Sequence, residues 1–271
     1  MRKFTLLIVL VAAVVATAQT ERKTPASEAE LAQISERGRN LAAYDIAAWY
    51  ATDAVIALKP TEGSVVNYIA KRTGDGWTVV FGRLNEARDK FLIAYEAIQG
   101  STPKEFKAAK VETPKEDTGF FLFAARAVET TVADFKAEAR PYNVAVLPAP
   151  SDQFYVYVVP AQTENGIYPL GGDARYLVSR DGLKIVEKRQ MHKAIIEFKT
   201  PANVQPEAGY HTAVLDQVPE DSDVFHVLAR KPSVPELIAT KQFVYRIEPD
   251  GKIRYLMTMD AFLKVKPPVK P

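Results

Sequence analysis

From residue 140 onward the chain breaks into short runs rich in Val, Ile, Phe and Tyr, at 143–149, 153–160, 175–179, 184–190, 194–198, 210–215, 224–229, 242–247 and 252–257. β-Branched and aromatic side chains fit a pleated strand, and the Gly, Pro and Asp residues between the runs fit turns. Asp181-Gly182 and Asp250-Gly251 each sit between two apolar runs, a strong local hairpin signal. So many short strands joined by tight turns must pair largely with their sequence neighbours, which means antiparallel pairing.

The first half reads differently. Ser27 with Glu30 three residues on is a capping-box pattern, and Leu31, Ile34, Leu41, Ala42, Trp49 and Val55 then recur at helical spacing, predicting a helix to about residue 52. Runs at 65–71 and 77–81 flank Gly74-Asp75-Gly76 and predict a strand pair, followed by strands at 91–98 and 106–111. Asp117 or Thr118 can cap a second helix carrying Phe121, Ala125, Val128, Val132 and Phe135 on one face, widened by Phe120 and Phe123. Helix, strands, helix and then strands alone predict an α+β fold: an amino-terminal helix plus strands, then a large antiparallel β-sheet region. The parts are a helix-and-strand region at 27–139 and a β-rich region at 140–263, joined as one continuous domain or as two.

Residues 1–18 have the layout of a signal peptide. Arg2 and Lys3 precede an apolar run at 4–15 that is too short for a stable membrane span, and Ala16-Thr17-Ala18 supplies a small-x-small cleavage pattern. Cleavage after Ala18 would leave Gln19 as the mature start, a flexible lead-in at 19–26, a solvated tail at 264–271 and no transmembrane anchor. The expected address is therefore outside the inner membrane, periplasmic or secreted. Without Arg2 and Lys3, 33 basic side chains balance 33 acidic ones, and no basic run interleaved with aromatics marks a nucleic-acid partner. The chain has no cysteine, which removes thiol nucleophiles, cysteine metal sites and iron–sulfur clusters.

All three histidines, His192, His211 and His226, lie in the β-rich region. Three converging imidazoles can hold zinc with an open position, but no pair has helical i, i+4 or strand His-x-His spacing, so ordinary hydrogen-bonded histidines are the preferred reading. The segment Gly209-Tyr210-His211-Thr212-Ala213-Val214, followed by Pro219-Glu220-Asp221-Ser222-Asp223-Val224, resembles the JAB/JAMM metalloprotease motif, in which a strand His-x-His and a downstream aspartate hold zinc. The resemblance carries over to His211 and Asp223. Ala213 occupies the second histidine position, Glu220 replaces the serine three before the aspartate, and no upstream glutamate is assignable. It implies two of three protein ligands, hence an inactive or repurposed site, with His226, expected two residues beyond Val224 on one strand face, or His192 as substitute ligand.

Gly171-Gly172-Asp173 is a second candidate, for ligand contact through a close backbone approach or through Asp173 orienting His192, against a plain turn closed by the Asp173 side chain, which is preferred. Asp221 and Asp223 beside Glu220 suggest loose calcium binding, with a solvated acidic turn as the default. Gly-x-x-x-x-Gly-Lys, Gly-x-Gly-x-x-Gly and Gly-x-Ser-x-Gly are all absent from the sequence. Tyr44, Trp49 and Tyr50, and Phe154, Tyr155 and Tyr157, are expected in the core, the alternative being exposed rings that grip a peptide or glycan.

In layout, and in the run from Gly171 to Ile196, the chain is similar to exported proteins of Gram-negative bacteria that have no assigned activity. The leading expectation is a non-catalytic accessory or binding protein of the envelope, without a resident cofactor and with an envelope protein, peptide or glycan as partner. The competing expectation is a zinc-dependent hydrolase built on His211 and Asp223 with His192 or His226.

Overall fold

A computed structural model describes residues 22–199 and 206–265. The segment expected to be a signal peptide, 1–18, the start of the expected lead-in at 19–21 and the end of the expected tail at 266–271 lie outside the described residues. The architecture is α+β.

Helix α1 (Glu28–Ile56) begins where the capping pattern places it: Ser27 Oγ accepts from the Glu30 backbone N–H at 3.2 Å. It runs a turn beyond the expected end. Its buried stripe, Leu31, Ile34, Gly38, Leu41, Tyr44, Ala48, Ala51 and Val55, follows the three-to-four spacing of one helical face. Strands β1 (Asn67–Thr73), β2 (Gly76–Leu84), β3 (Phe91–Gln99) and β4 (Phe106–Asp117) form an antiparallel meander in that order. β4 is longer than its sequence suggests because a register shift lets Lys115, Glu116 and Asp117 continue pairing with β3. Asp117 Oδ1 then accepts from the N–H groups of Gly119 and Leu122, starting α2 (Phe120–Asp134).

Strands β5 (Tyr142–Pro148), β6 (Phe154–Pro160), β8 (Ala174–Val178) and β9 (Ile185–Gln190) form a second antiparallel sheet, while β7 (Ile167–Leu170) pairs with β10 (Ile196–Lys199). β11 (Gly209–Thr212), β12 (Glu236–Ala239), β13 (Phe243–Ile247) and β14 (Ile253–Thr258) form a third four-stranded sheet, followed by α4 (Met259–Phe262). In it β11 runs parallel to β12, because the connection between them is a crossover through helix α3 (Asp221–Ala229). The run at 224–229 is therefore helix, not strand, and 232–236 leads directly into β12.

Two clusters of buried side chains result. Leu41 to Val55 of α1 pack with α2 and the first two sheets, whereas Leu31 and Ile34 pack with α3 and the third sheet. Each fully buried Leu or Ile contributes about 1.5–3 kcal/mol, so α1 ties both clusters together. Tyr44 ties α1 to the edge of the first sheet: its hydroxyl accepts from the Ala70 N–H of β1 at 3.2 Å. Tyr44, Phe154 and Tyr157 are core residues as expected, whereas Trp49 is 52% exposed. Among the described residues no helix is long and apolar enough to cross a membrane.

Candidate metal centre

The hairpin of β8 and β9 pairs Ala174 with Gln190, so the residues just outside it, Asp173 and Met191-His192, are neighbours. The Met191 N–H donates to the Asp173 carbonyl at 3.1 Å. Gly171 (φ 91°) and Gly172 (φ 62°) turn the chain into this position, and a Cβ on Gly171 would lie 2.1 Å from the Ala194 carbonyl oxygen. Only glycine combines that conformation with that close approach. The turn thereby sets His192, whose Nδ1 lies 2.9 Å from Asp173 Oδ1. The Asp173 side chain thus holds His192 instead of closing its own turn.

His211 comes from β11. Gly209 pairs with Glu236 across the parallel strands, and a Cβ on Gly209 would lie 1.8 Å from Glu236 Oε2. A bare backbone at this point lets the Glu236 carboxylate fold over β11. Its Oε1 is 3.0 Å from His211 Nδ1, and its Oε2 accepts from Arg230 Nη1 at 2.5 Å.

Asp223 occupies the third position of α3. Its Oδ2 accepts from the Glu220 backbone N–H at 2.7 Å, the local reason for a carboxylate there, and the positive end of the helix dipole favours it further. Oδ1 is left facing the two imidazoles, 3.0 Å from His192 Nε2 and 3.0 Å from His211 Nε2. These three ligand atoms lie within 4.8 Å of one another.

Neither 3.0 Å contact has hydrogen-bond geometry: His192 Nε2, His211 Nε2 and Asp223 Oδ1 are buried without a hydrogen-bond partner. An ionised carboxylate only accepts, so a ring bonded to one through Nδ1 carries its proton there and has Nε2 available as a ligand. Ligands of a tetrahedral ion at Zn–N and Zn–O distances near 2.0–2.1 Å stand roughly 3.3 Å apart. The two imidazole–carboxylate spacings of 3.0 Å are close to that, and each Nδ1 is held by a carboxylate, the usual outer support of a metal-bound histidine.

The electrostatics without an ion are those of a charged knot. Burial lowers the His192 pKa, but Asp173 and Asp223 outweigh it and hold the ring well above its ordinary value. For His211 burial is again opposed, by Asp223 and Glu236, and the pKa rises to about 9. Burial would raise Asp223, yet the two imidazoles keep its carboxyl far below the usual range. A divalent cation satisfies the same three groups with the rings neutral. The side chains of His211, Asp223 and His192 are only 2%, 0% and 9% exposed.

Of the residues singled out in the sequence, His192, His211 and Asp223 converge and Asp173 supports them. His226 is outside the converging group: it lies on helix α3, one turn after Asp223, in the wall of a cleft of about 370 Å³ shared with Trp49 and Tyr168. Burial and nearby Arg230 push its pKa down to about 4. Asp221 and Asp223 are buried at a helix start, which corrects the reading of a solvated acidic turn. Asp221 faces away from the histidines and receives Arg37, Arg175 and the Tyr157 hydroxyl. Glu236 and Arg230 went unnoticed in the sequence, where the one signal for them is the glycine at 209.

No protein-family model matches the chain, and neither a curated protein nor a solved structure matches it.

Proposed function

We infer that this is an exported metal-binding protein whose His192–His211–Asp223 centre holds one zinc ion in a buried, non-catalytic site. The observation that carries the reading is the convergence of two Nε2 atoms and one carboxylate oxygen, all buried and all without hydrogen-bond partners. Imidazole and carboxylate together suit zinc, and the absence of thiolate in the set disfavours copper(I). The leader at 1–18 supports an address outside the cytosol. Near-complete burial of the ligands supports a stabilising ion over one that turns over substrate, and so an accessory or binding role in the envelope.

A zinc-dependent hydrolase is the second reading, and one observation favours it. The converging set offers three protein ligands, which leaves a fourth position of a tetrahedral ion to water. In that reading His192 supplies the ligand that Ala213 does not, and the JAB/JAMM-like segment keeps His211 and Asp223.

Replacing the metal with cobalt(II) separates the two. A buried site whose fourth ligand does not exchange gives visible bands that azide leaves unchanged, whereas an exchangeable water position gives bands that shift as azide binds and would overturn the non-catalytic reading.

A further inference from the structure

A cleft of about 560 Å³, with no histidine in its lining, lies between α1, the edge strand β1 and the start of β6. We propose that it binds a small organic anion carrying a planar ring.

Its walls combine rings with cations. Lys71 Nζ sits 4.8 Å from the centre of the Phe120 ring, and the Arg72 guanidinium 5.2 Å from that of Trp77. Tyr155 also lines the cleft, and its ring centre is 5.0 Å from the Arg175 guanidinium. A cation resting on a ring keeps its other side for an anion, and the ring edges offer stacking surface to a flat ligand.

The charge is unbalanced in the ligand's favour. Arg37, in the lining, shares the buried Asp221 carboxylate with Arg175, leaving that trio with a surplus positive charge. Lys71 and Arg72 have no carboxylate within ion-pair distance among the described residues, and Glu36 is the one acidic side chain in the lining. Glu36 is exposed and can turn to solvent. A neutral apolar ligand would leave those cations unanswered, and a cationic one would be repelled. The volume falls in the range of ordinary small-molecule sites, roughly 300–1,000 Å³.

The test is a fluorescence titration of the protein with anilinonaphthalene sulfonate, a ring-bearing anion, and with uncharged phenylnaphthylamine. The wild type is expected to bind one equivalent of the anion, and the double variant Lys71→Glu/Arg72→Glu to lose at least about tenfold in affinity, the equivalent of about 1.4 kcal/mol. Phenylnaphthylamine should bind more weakly and equally to both. Both substituted side chains are exposed, so the melting temperature should hold; should the double variant fail to fold, Lys71→Gln is read the same way with a smaller loss. Equal affinity for the two probes, no binding of the anion, or a charge reversal without effect would overturn the proposal.

Discussion

Glu236 grips His211 and Arg230 at once, one carboxylate oxygen 3.0 Å from the imidazole Nδ1 and the other 2.5 Å from the guanidinium. That pairing fixes which nitrogen of His211 faces Asp223. Burial would raise the Glu236 pKa, but His211 and Arg230 hold it below its ordinary value, so the carboxylate is charged at neutral pH. Glu236→Gln keeps the shape and removes the charge. Zinc affinity, measured by competition with a chromophoric chelator, is expected to fall about 10–100-fold with the fold retained. An unchanged affinity would mean that Glu236 supports the strand and not the metal.

Gly38 of α1 faces α3 so closely that a Cβ would lie 2.4 Å from Val224 Cβ and 2.6 Å from the Asp221 carbonyl oxygen. Helix propensity alone predicts that Gly38→Ala stabilises α1 by about 1 kcal/mol, while forcing the two helices apart costs about 1–3 kcal/mol. Because the clash involves backbone and a β-branched Cβ, the contact is expected to win. Chemical denaturation should therefore show a net loss of stability, and zinc affinity should fall as well, since α3 carries Asp223.

Asp45 provides a pH test outside the converging His192–His211–Asp223 group. Burial, partly offset by the Asn143 amide, raises its pKa from 3.8 to about 6. A carboxyl whose folded pKa is raised costs stability where it is ionised and costs nothing where it is protonated in both states. Stability should thus increase as pH falls from about 6 towards 3.8 on account of this group. Asp45→Asn should be more stable than wild type at pH 7 by about 1–2 kcal/mol, the full linkage value being reduced because the residue is only half-buried. The gain should vanish near pH 4; a gain that persisted unchanged there would exclude ionisation as its cause.

Local features of the fold were legible where the signals are local. Ser27 and Glu30 mark the start of α1, and Asp181-Gly182 and Asp250-Gly251 mark the hairpins between β8 and β9 and between β13 and β14. The sequence of helix α3 predicts a strand because its burial is inverted: Asp221, Ser222, Asp223 and His226 are buried, so hydropathy has no helical period to follow. The pattern Glu220-x-x-Asp223 was its one helix-start signal. The parallel placement of β11 beside β12 depends on that helix and was hidden with it.

The site was legible as residue types and not as a place. His211 and Asp223 were named together, but the partner that meets them is His192, brought in from the β8–β9 end of a different sheet. Nothing in residues 171–192 specifies that approach except Gly171 and Gly172 in a turn, and those fit a plain loop equally well. His226, nearer to Asp223 in sequence, lost that role once the segment became helical.

Elemental analysis of the purified mature protein is the most direct measurement of the central claim. One zinc per chain is expected, retained through dialysis at neutral pH and absent from both His211→Ala and Asp223→Asn. Asp223→Asn preserves side-chain shape, so a folded variant without zinc would assign the ion to this centre. A wild-type protein that neither contains nor takes up a stoichiometric divalent metal, or variants that keep it, would contradict the account.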